Sequence, residues 1–401
     1  MDLRKPSFFE RYQLHRTVNK YYSNFNITIE YPQFTKEQLS QALKSLIQAH
    51  PILSCNFFKT DEIEDDCRNY VLRPFEVKFD DVVSYTNYEI TPEYFQYLNS
   101  IYFNLDEKKP LWKILVNGNY VTIVCNHTYL DGNSGVGFHN ELIANLKNQD
   151  CQFESILTNG NITSVPVPID DVSNLYKPSL FFKIYEIGKH YLLPKEECFK
   201  TIPISIGQKV NYRILQFTNH ELQHILTRSK SLKFTSYFLS CAVKVFRQFH
   251  NDKSVSLAIP MNGRRYDNGL DMFQICTAAS NIIVNPEIND DKVGEYISTK
   301  LATDLNTRNP FYVVGLLRLM NIGNLLKDKI GSFDRSTMEV SNVGKLNVMN
   351  GWFSQDNGFS SHLQFNIMTS NSGLSIVLGS HDEVEDIMKE YVDMLKAELL
   401  N

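Results

Sequence analysis

The chain has 401 residues, of which 43% are apolar and 21% charged, with 45 acidic side chains against 40 basic ones. Because domains usually have about 100 to 200 residues, this length corresponds to one large domain or to two domains. The formal charge of −5 argues against nucleic acid as a partner, since proteins that bind a polyphosphate backbone carry a basic surplus.

No segment of the sequence approaches the roughly 20 consecutive apolar residues that cross a bilayer. The N-terminal residues lead into no continuous apolar run, so we expect a cytoplasmic or membrane-peripheral protein. The seven cysteines are widely spaced and contain no Cys-x-x-Cys pair. They favour neither a disulfide framework nor a zinc ribbon, and we expect reduced thiols and no metal site.

The first half of the chain alternates strand and helix signals. Residues 25–31 alternate apolar and polar side chains, which predicts a half-buried strand. A capping box at Thr35 and Gln38 begins a helix that ends at His50-Pro51, and a second helix begins at Thr91-Pro92. Two further strands, 111–116 and 120–125, form a predicted hairpin, whereas the acidic run 61–66 is interpreted as a solvated loop.

Residues from about 150 to 205 lose this regularity, and only the stretch 180–193 within them is typical of a helix. We therefore predict an N-terminal domain at 1–155, a crossover linker at 156–205 and a C-terminal domain at 206–401. In the second half, a capping box at Thr218 and Glu221 precedes further alternating elements. The predicted strands are 210–217, 255–259, 281–284, 338–343, 362–368 and 374–378, and the predicted helices are 235–250, 292–305, 310–328 and 382–400.

The two halves match in the order of their elements. The strand that ends at His127 and the helix after it have a counterpart in the strand that ends at His381 and the last helix. Strands and helices mix in both halves without strict alternation, which favours mixed sheets over a barrel. The predicted fold class is α/β (α+β), with two similar mixed-sheet domains covered by helices.

The segment Asn126-His127-Thr128-Tyr129-Leu130-Asp131-Gly132 combines residues that suit a catalytic site. A near-neutral imidazole can take a proton from a hydroxyl, amine or thiol if a strand end holds it at a cleft. Gly132 allows the positive φ of a sharp turn, and Asp131 can fix that turn by bonding backbone amides or a buried cation. In a purely structural alternative, His127 is a satisfied histidine and Asp131 is a helix N-cap.

Other chemistries fit these residues less well. His127, Asp131 and His139 could act as metal ligands, but Asp131-Gly132 interrupts the helix that an i, i+4 pair of ligands requires. The stretch 132–136 lacks the last glycine of a nucleophile elbow, and the stretch 135–140 lacks the last glycine of a dinucleotide fingerprint. Nucleotide hydrolysis and nicotinamide redox chemistry are therefore disfavoured.

The segment from Asn126 to Gly132 resembles the His-x-x-x-Asp-Gly motif of the CoA-dependent acyltransferase superfamily, which includes chloramphenicol acetyltransferase, plant BAHD acyltransferases and peptide-synthetase condensation domains. More closely, the chain resembles the fungal alcohol acetyltransferase family. The plant group's Asp-Phe-Gly-Trp-Gly is absent, and Asn350-Gly351-Trp352 matches it only loosely. The likeness extends to residues 10–24, His50-Pro51-Ile52-Leu53, Lys109-Pro110-Leu111-Trp112, 259–266 and Val340-Ser341-Asn342-Val343-Gly344.

This resemblance implies a tunnel at the interface of the two domains, with the histidine midway and the two substrates entering from opposite faces. It implies that His127 is the general base that deprotonates the acceptor and that Asp131 orients the loop, with Arg264 or Arg265 as the candidate partner of Asp131. The candidate contacts to the oxyanion or the substrate are Asn342, Ser360, Ser361 and Trp352.

The resulting hypothesis is an O-acyltransferase that moves an acetyl group from acetyl-CoA, or another acyl group from its acyl-CoA, to an alcohol, with no bound cofactor. N-acylation of an amine, such as a sphingoid base or an amine toxin, stays an alternative because the same base serves either nucleophile. A noncatalytic binding module of the same fold is a third alternative. We expect a cytoplasmic monomer, and the sequence leaves open a peripheral association with the endoplasmic reticulum or lipid droplets.

Overall fold

The computed structural model describes residues 2–21, 23–62, 66–146, 151–192, 197–199, 209–330, 335–356 and 361–401. Within these ranges, no helix combines the length and hydropathy that a membrane crossing needs.

The first half contains the predicted hairpin and the predicted capped helix. Thr35 and Gln38 form the capping box, and Gly118 forms the hairpin turn with φ of +58°. The helices are α1 Phe8–Val18, α2 Lys36–Ala49, α3 Phe79–Val82, α4 Pro92–Asn99 and α5 Gly132–Asn145, and the strands are β1 Asn24–Glu30, β2 Cys55–Lys59, β3 Tyr70–Pro74, β4 Val77–Lys78, β5 Val83–Tyr85, β6 Trp112–Asn117, β7 Tyr120–Asn126 and β8 Ile156–Thr158.

The crossover between the halves contains two helices, α6 Ile169–Val172 and α7 Leu180–Leu192, and the second half begins after them. Thr218 caps the first helix of this half, with Glu221 completing the capping box. The remaining helices are α8 Asn219–Arg228, α9 Phe234–Phe246, α10 Asp290–Thr307, α11 Asn309–Gly315, α12 Ile322–Ile330 and α13 Glu385–Leu400, and the strands are β9 Val210–Thr218, β10 Val255–Asn262, β11 Thr277–Val284, β12 Ser336–Lys345, β13 Gly351–Gln355, β14 Ser361–Thr369 and β15 Gly373–His381.

Two large mixed sheets form the two halves. The first has the strand order β13-β1-β7-β6-β5, and the second has the order β11-β10-β12-β14-β15-β9. In the first sheet β5 runs parallel to β6, whereas the other pairs are antiparallel. In the second sheet β12 runs parallel to both of its neighbours. This architecture confirms the predicted fold class.

Strand β13 belongs to the second half by sequence but lies in the first sheet. It pairs antiparallel with β1, with Phe353 opposite Ile27. The sequence pattern predicts no strand here, because five residues are too few to show a periodicity. The domain boundaries stay a prediction. Through β13, the second half contributes an edge strand to the sheet of the first half.

Each sheet packs against its own helices, and a smaller core joins the halves. The first core places apolar residues of α2, α4 and α5 on the first sheet, and the second core places those of α8, α9 and α13 on the second sheet. Between them, the ring of Tyr176 in the crossover lies 6.1 Å from that of Phe8 and 5.6 Å from that of Phe311. The crossover is therefore packed between α1 and α11.

The structure corrects several predictions about local structure, including the half-buried strand at 25–31, because β1 is buried on both faces. The single helix predicted at 310–328 is broken into α11, a 3-10 turn at Leu316–Leu319 and α12. The acidic run 61–66 is predicted to be solvated, and Asp61 and Glu62 are exposed, but the Asp66 side chain is only 4% exposed and pairs with Arg11 at 2.6 Å. Its Oδ1 also accepts the backbone N–H groups of Ile322 and Gly323 at the start of α12. Residues 63–65 of that run lie outside the described residues.

Candidate active site

His127 follows the last residue of β7, a strand flanked on both sides within the first sheet. Its backbone N–H donates to the carbonyl of Ser23 at 2.8 Å. The next residue is held by Asn126, whose Oδ1 accepts the N–H of Thr128 at 3.0 Å. The backbone on both sides of the imidazole is therefore fixed by hydrogen bonds, as a catalytic base at a strand end requires.

The imidazole of His127 is partly exposed, and its Nδ1 is buried without a hydrogen-bond partner among the described residues. Burial lowers the pKa of His127, and the Asp131 charge and the carbonyl groups of His127 and Leu130 only partly oppose this effect. The ring is therefore neutral at pH 7, which is the form that accepts a proton.

Asp131 does not contact the imidazole but caps helix α5. Its Oδ1 accepts the N–H of Ser134 at 2.9 Å, and its Oδ2 accepts from Arg264 Nη1 at 2.8 Å and from the N–H of Cys276 at 2.9 Å. Burial raises the pKa of this carboxyl, but the charge and hydrogen bond of Arg264 and the two backbone amides outweigh burial and lower it overall. Asp131 is therefore a fully buried carboxylate.

The Asp131–Arg264 pair joins the two halves of the chain. Arg264 lies in a 3-10 turn that follows β10, and it also donates to the carbonyls of Met272 and Gln274. A Cβ atom at neighbouring Gly263 would lie 2.6 Å from Cys276 Sγ, so only glycine allows this close approach. Of the two candidate arginines, the structure brings Arg264 to Asp131.

Gly132 allows a positive φ, but its φ is not positive, so the predicted sharp turn does not form at this residue. It is the first residue of α5, and its backbone is helical because Asp131 provides the cap before it. A Cβ at this position would lie 3.4 Å from Val343 and 3.5 Å from Phe353, both from the second half. These are ordinary van der Waals distances, so the motif packs on residues of the second half without requiring glycine at this position.

A cavity of about 590 Å³ lies between the halves, and His127 and Gly132 are in its wall. The first half contributes α1 and the junction between β7 and α5. The second half contributes β10 to β14 together with α11 and α12. Its polar lining residues are Tyr12, Gln13, Arg16, Ser23, His127, Asn133, Asn262, Thr277, Glu339, Ser341, Asn342, Gln355, Asp356 and Gln364.

The other candidate contacts differ in their positions. Asn342 lines the cavity, and its Oδ1 accepts the N–H of Gly344 at 2.8 Å. Trp352 and Ser361 are buried and are not among the described lining residues, and the Trp352 ring packs on Tyr120 with centroids 5.7 Å apart. Arg265 lies over the ring of Tyr266. Ser360 lies outside the described residues.

Sequence reasoning missed two groups of residues at this site. The first is the backbone that binds Asp131, because a main-chain N–H such as that of Cys276 has no sequence signature. The second is the polar side chains that β12, β13 and β14 turn toward the cavity, including Glu339, Gln355 and Gln364. In strands, polar side chains on the inner face signal a lined cleft, but this pattern could be read only once the facing sheet was known.

His139, the third residue weighed as a metal ligand, lies elsewhere. Its Nδ1 is 2.9 Å from the Tyr31 hydroxyl and its Nε2 is 3.0 Å from the carbonyl of Ile27. Burial lowers the pKa of His139 to about 4. In the described part of the chain, no three His, Cys, Asp or Glu side chains are grouped as a metal site would need.

Known structures share this fold over nearly their whole length. The trichothecene 15-O-acetyltransferase TRI3 of Fusarium sporotrichioides matches with a TM-score of 0.72 and 11% identity, over 98% of this chain and 95% of that chain. The condensation domain of the Monacolin K polyketide synthase MokA matches with a TM-score of 0.67 and 10% identity, over 100% and 98%. The protein therefore has the CoA-dependent acyltransferase fold.

The model of the family described as alcohol acetyltransferase matches residues 7–399. The chain belongs to this family, as its sequence motifs predicted. Over 186 residues it is also 31% identical to the N-acetyltransferase SLI1 of Saccharomyces cerevisiae, a match that covers 44% of this chain. That match spans only 35% of the length of this curated relative.

Proposed function

We propose that the protein transfers an acetyl group from acetyl-CoA to the hydroxyl group of an alcohol, with His127 as the general base. The observation that carries the proposal is the position of the His127 imidazole at the end of β7, in the wall of a cavity formed by both halves, where burial lowers its pKa. Membership of the alcohol acetyltransferase family supports acetyl transfer from a CoA thioester.

In this reaction the imidazole takes the hydroxyl proton while the acceptor oxygen attacks the thioester carbonyl carbon. The tetrahedral intermediate then collapses, the carbon–sulfur bond breaks, and the CoA thiolate leaves. The imidazolium returns its proton to that thiolate, so the products are an ester and free CoA. The lowered pKa of His127 keeps the base unprotonated before the reaction and makes the return of the proton favourable.

The residues around His127 position the loop that carries it and stabilise the negative charge of the tetrahedral intermediate. Asp131 acts through the loop, because its carboxylate is engaged by Arg264 and Cys276 and does not contact the imidazole. Asn342 is the candidate donor to the oxyanion, since it lines the cavity with Oδ1 already accepting from Gly344. Ser361 and Trp352 are not among the described residues that line the cavity, so neither is proposed as the donor to the oxyanion.

Transfer to an amine is the second candidate function. The relative SLI1 is named as an N-acetyltransferase, and its match to this chain supports an amine acceptor. The neutral amine would attack the thioester carbonyl, and the same imidazole could then take the extra proton from the nitrogen of the tetrahedral intermediate, so one base serves either acceptor.

The test measures release of free CoA thiol from acetyl-CoA with a panel of alcohols and amines, and identifies the product by mass spectrometry. We expect ester formation with at least one alcohol and a loss of at least about 100-fold in His127→Ala. Amide products alone would favour the second candidate. Equal rates with and without His127 would contradict its role, and no turnover with any acceptor would favour a noncatalytic binding module.

A further inference from the structure

Helix α7 presents several large apolar side chains to solvent. Phe181 is 86% exposed, Leu192 82% and Leu180 70%, and Ile184 and Tyr185 are exposed as well. A surface helix normally turns such a face toward the core. Large apolar side chains exposed together on one element mark an interaction surface, whereas a single exposed one would need no explanation.

The helix is anchored by its other side. Ser179 accepts the N–H of Phe182 at its start, and the Phe182 ring packs on Tyr312 of α11 with centroids 5.4 Å apart. At about 100° per residue, Phe182 lies roughly opposite the outward side chains Leu180 and Ile184. The outward orientation of the apolar face is therefore set by a contact on the inner side.

Two lysines border the apolar face, one on each flank. On the same helical projection, the outward apolar residues cover an arc of about 160°, with Lys183 just beyond one edge and Lys189 just beyond the other. Glu186 projects from the opposite side of the helix. This distribution, with an uncharged apolar face between basic flanks, suits a helix that lies in the headgroup region of an anionic bilayer.

The helix can lie on a bilayer but cannot cross it. Its 13 residues correspond to about 20 Å, against a hydrocarbon core of about 30 Å. The α11 helix on which it packs contributes Val313 to both the exposed surface and the wall of the cavity. A lipid surface against α7 would therefore lie close to one wall of the active-site cavity.

We propose that α7 docks the protein on the surface of a bilayer that contains anionic phospholipid, with its apolar face among the acyl chains and Lys183 and Lys189 at the headgroups. A second copy of the chain fits this face less well. In a symmetric pair the same face meets itself, and because both flanks carry lysine, lysine would lie against lysine. The proposal does not depend on the acetyl-transfer reaction.

Co-sedimentation of the full chain with vesicles tests the proposal without an activity readout. The vesicles are phosphatidylcholine alone or phosphatidylcholine with about 30 mol% phosphatidylserine. We expect the wild type to sediment with the anionic vesicles, and Phe181→Ser with Ile184→Ser to weaken this binding at least about tenfold. The matched control replaces Tyr85 and Ile156, which are 55% and 46% exposed on strands β5 and β8, by serine and should bind like the wild type.

Lys183→Gln with Lys189→Gln should weaken binding to the anionic vesicles by about fivefold per lysine, with no change on neutral vesicles. Unchanged thermal unfolding shows that each variant is folded. A wild type that stays in the supernatant, or an apolar-face variant that binds as well as the control variant, would overturn the proposal. So would a wild-type dimer, detected by light scattering, that the apolar-face variant converts to a monomer.

Discussion

Each half of the molecule has a histidine at the end of an interior strand and a helix after it, and of these two histidines His127 lies in the wall of the described cavity. After His127 the chain forms a short loop before Asp131 caps α5. After His381 a 3-10 turn begins at once with Asp382, and α13 starts at Glu385. His381 is buried, and Asp382 is exposed and accepts from Asn211 at 2.7 Å.

The difference lies in the three residues between histidine and aspartate. With this spacer, the carboxylate of Asp131 reaches both the start of its own helix and Arg264 of the other half. The hydrogen bonds of Asp131 fix the end of this loop, and the imidazole lies in the cavity wall. Without the spacer, the second junction turns directly into helix and its histidine is part of the core. The spacing of the motif therefore matters as much as its residue types.

Asp131→Asn should produce the largest effect. The amide would leave the Arg264 guanidinium, which is only 11% exposed, without its counter-ion and would place an NH₂ or a weaker acceptor against Cys276. We expect the free energy of unfolding to fall by about 3 to 5 kcal/mol, measured by denaturant titration. The matched Asp382→Asn variant should change it by less than about 0.5 kcal/mol. Equal losses of stability in Asp131→Asn and Asp382→Asn would contradict the role of Asp131 as the buried link to Arg264.

His127→Ala should lower kcat/KM for acetyl transfer at least about 100-fold, which corresponds to about 2.7 kcal/mol of transition-state stabilisation. The control is His381→Ala, which removes a buried ring and is expected to destabilise the fold while the rate per folded molecule stays within about fivefold. Rates and unfolding curves measured on the same preparations separate the two effects. A comparable loss of rate in both variants would contradict the proposal that His127, and not His381, acts in catalysis.

Asp66 offers a comparison from outside both junctions, because it also joins the halves through a buried carboxylate. Asp66→Asn removes the charge that Arg11 and the first amides of α12 bind. We expect a loss of about 1 to 3 kcal/mol in the free energy of unfolding. Asp61→Asn, in the exposed part of the same acidic run, should stay within about 0.5 kcal/mol. If both variants behave alike, the interpretation of Asp66 as a link between the halves is wrong.

Gly132→Ala should have the smallest effect. The backbone is helical there and an added methyl group would meet only ordinary contacts at 3.4 Å and beyond, so we expect a change of less than about 0.5 kcal/mol in stability. Gly118→Ala is the control, because that turn has φ of +58° and open space around it, and it should cost about 1 to 2 kcal/mol. The reverse order would restore the turn hypothesis for Gly132.

Local features were predictable from the sequence. The capping boxes at Thr35 and Thr218, the hairpin before His127 and the repeated strand–helix order depend on neighbouring residues, and the structure contains all of them. The family and the fold class followed from motifs spread along the chain, and both are confirmed.

Features that depend on distant segments were not predictable. Strand β13 joins the first sheet by pairing with β1, which lies more than 250 residues away in the sequence. Asp66 is buried partly because its carboxylate binds two backbone amides of α12, which are also more than 250 residues away. Arg264 and Arg265 are adjacent and chemically identical in the sequence, and only the 3-10 turn that carries them decides which one faces Asp131. The lining of the cavity needs both sheets and could not be read from either alone.

The pH dependence of kcat/KM for acetyl transfer tests most directly whether a neutral His127 is the base. Because burial lowers the pKa of His127, the base stays unprotonated at pH 7, and activity should fall only as the pH drops below the ordinary histidine value of 6.5. The account predicts an acidic limb with a midpoint below 6.5 and a slope of one proton, absent from the residual activity of His127→Ala. A midpoint above 6.5, or the same limb in that variant, would contradict it.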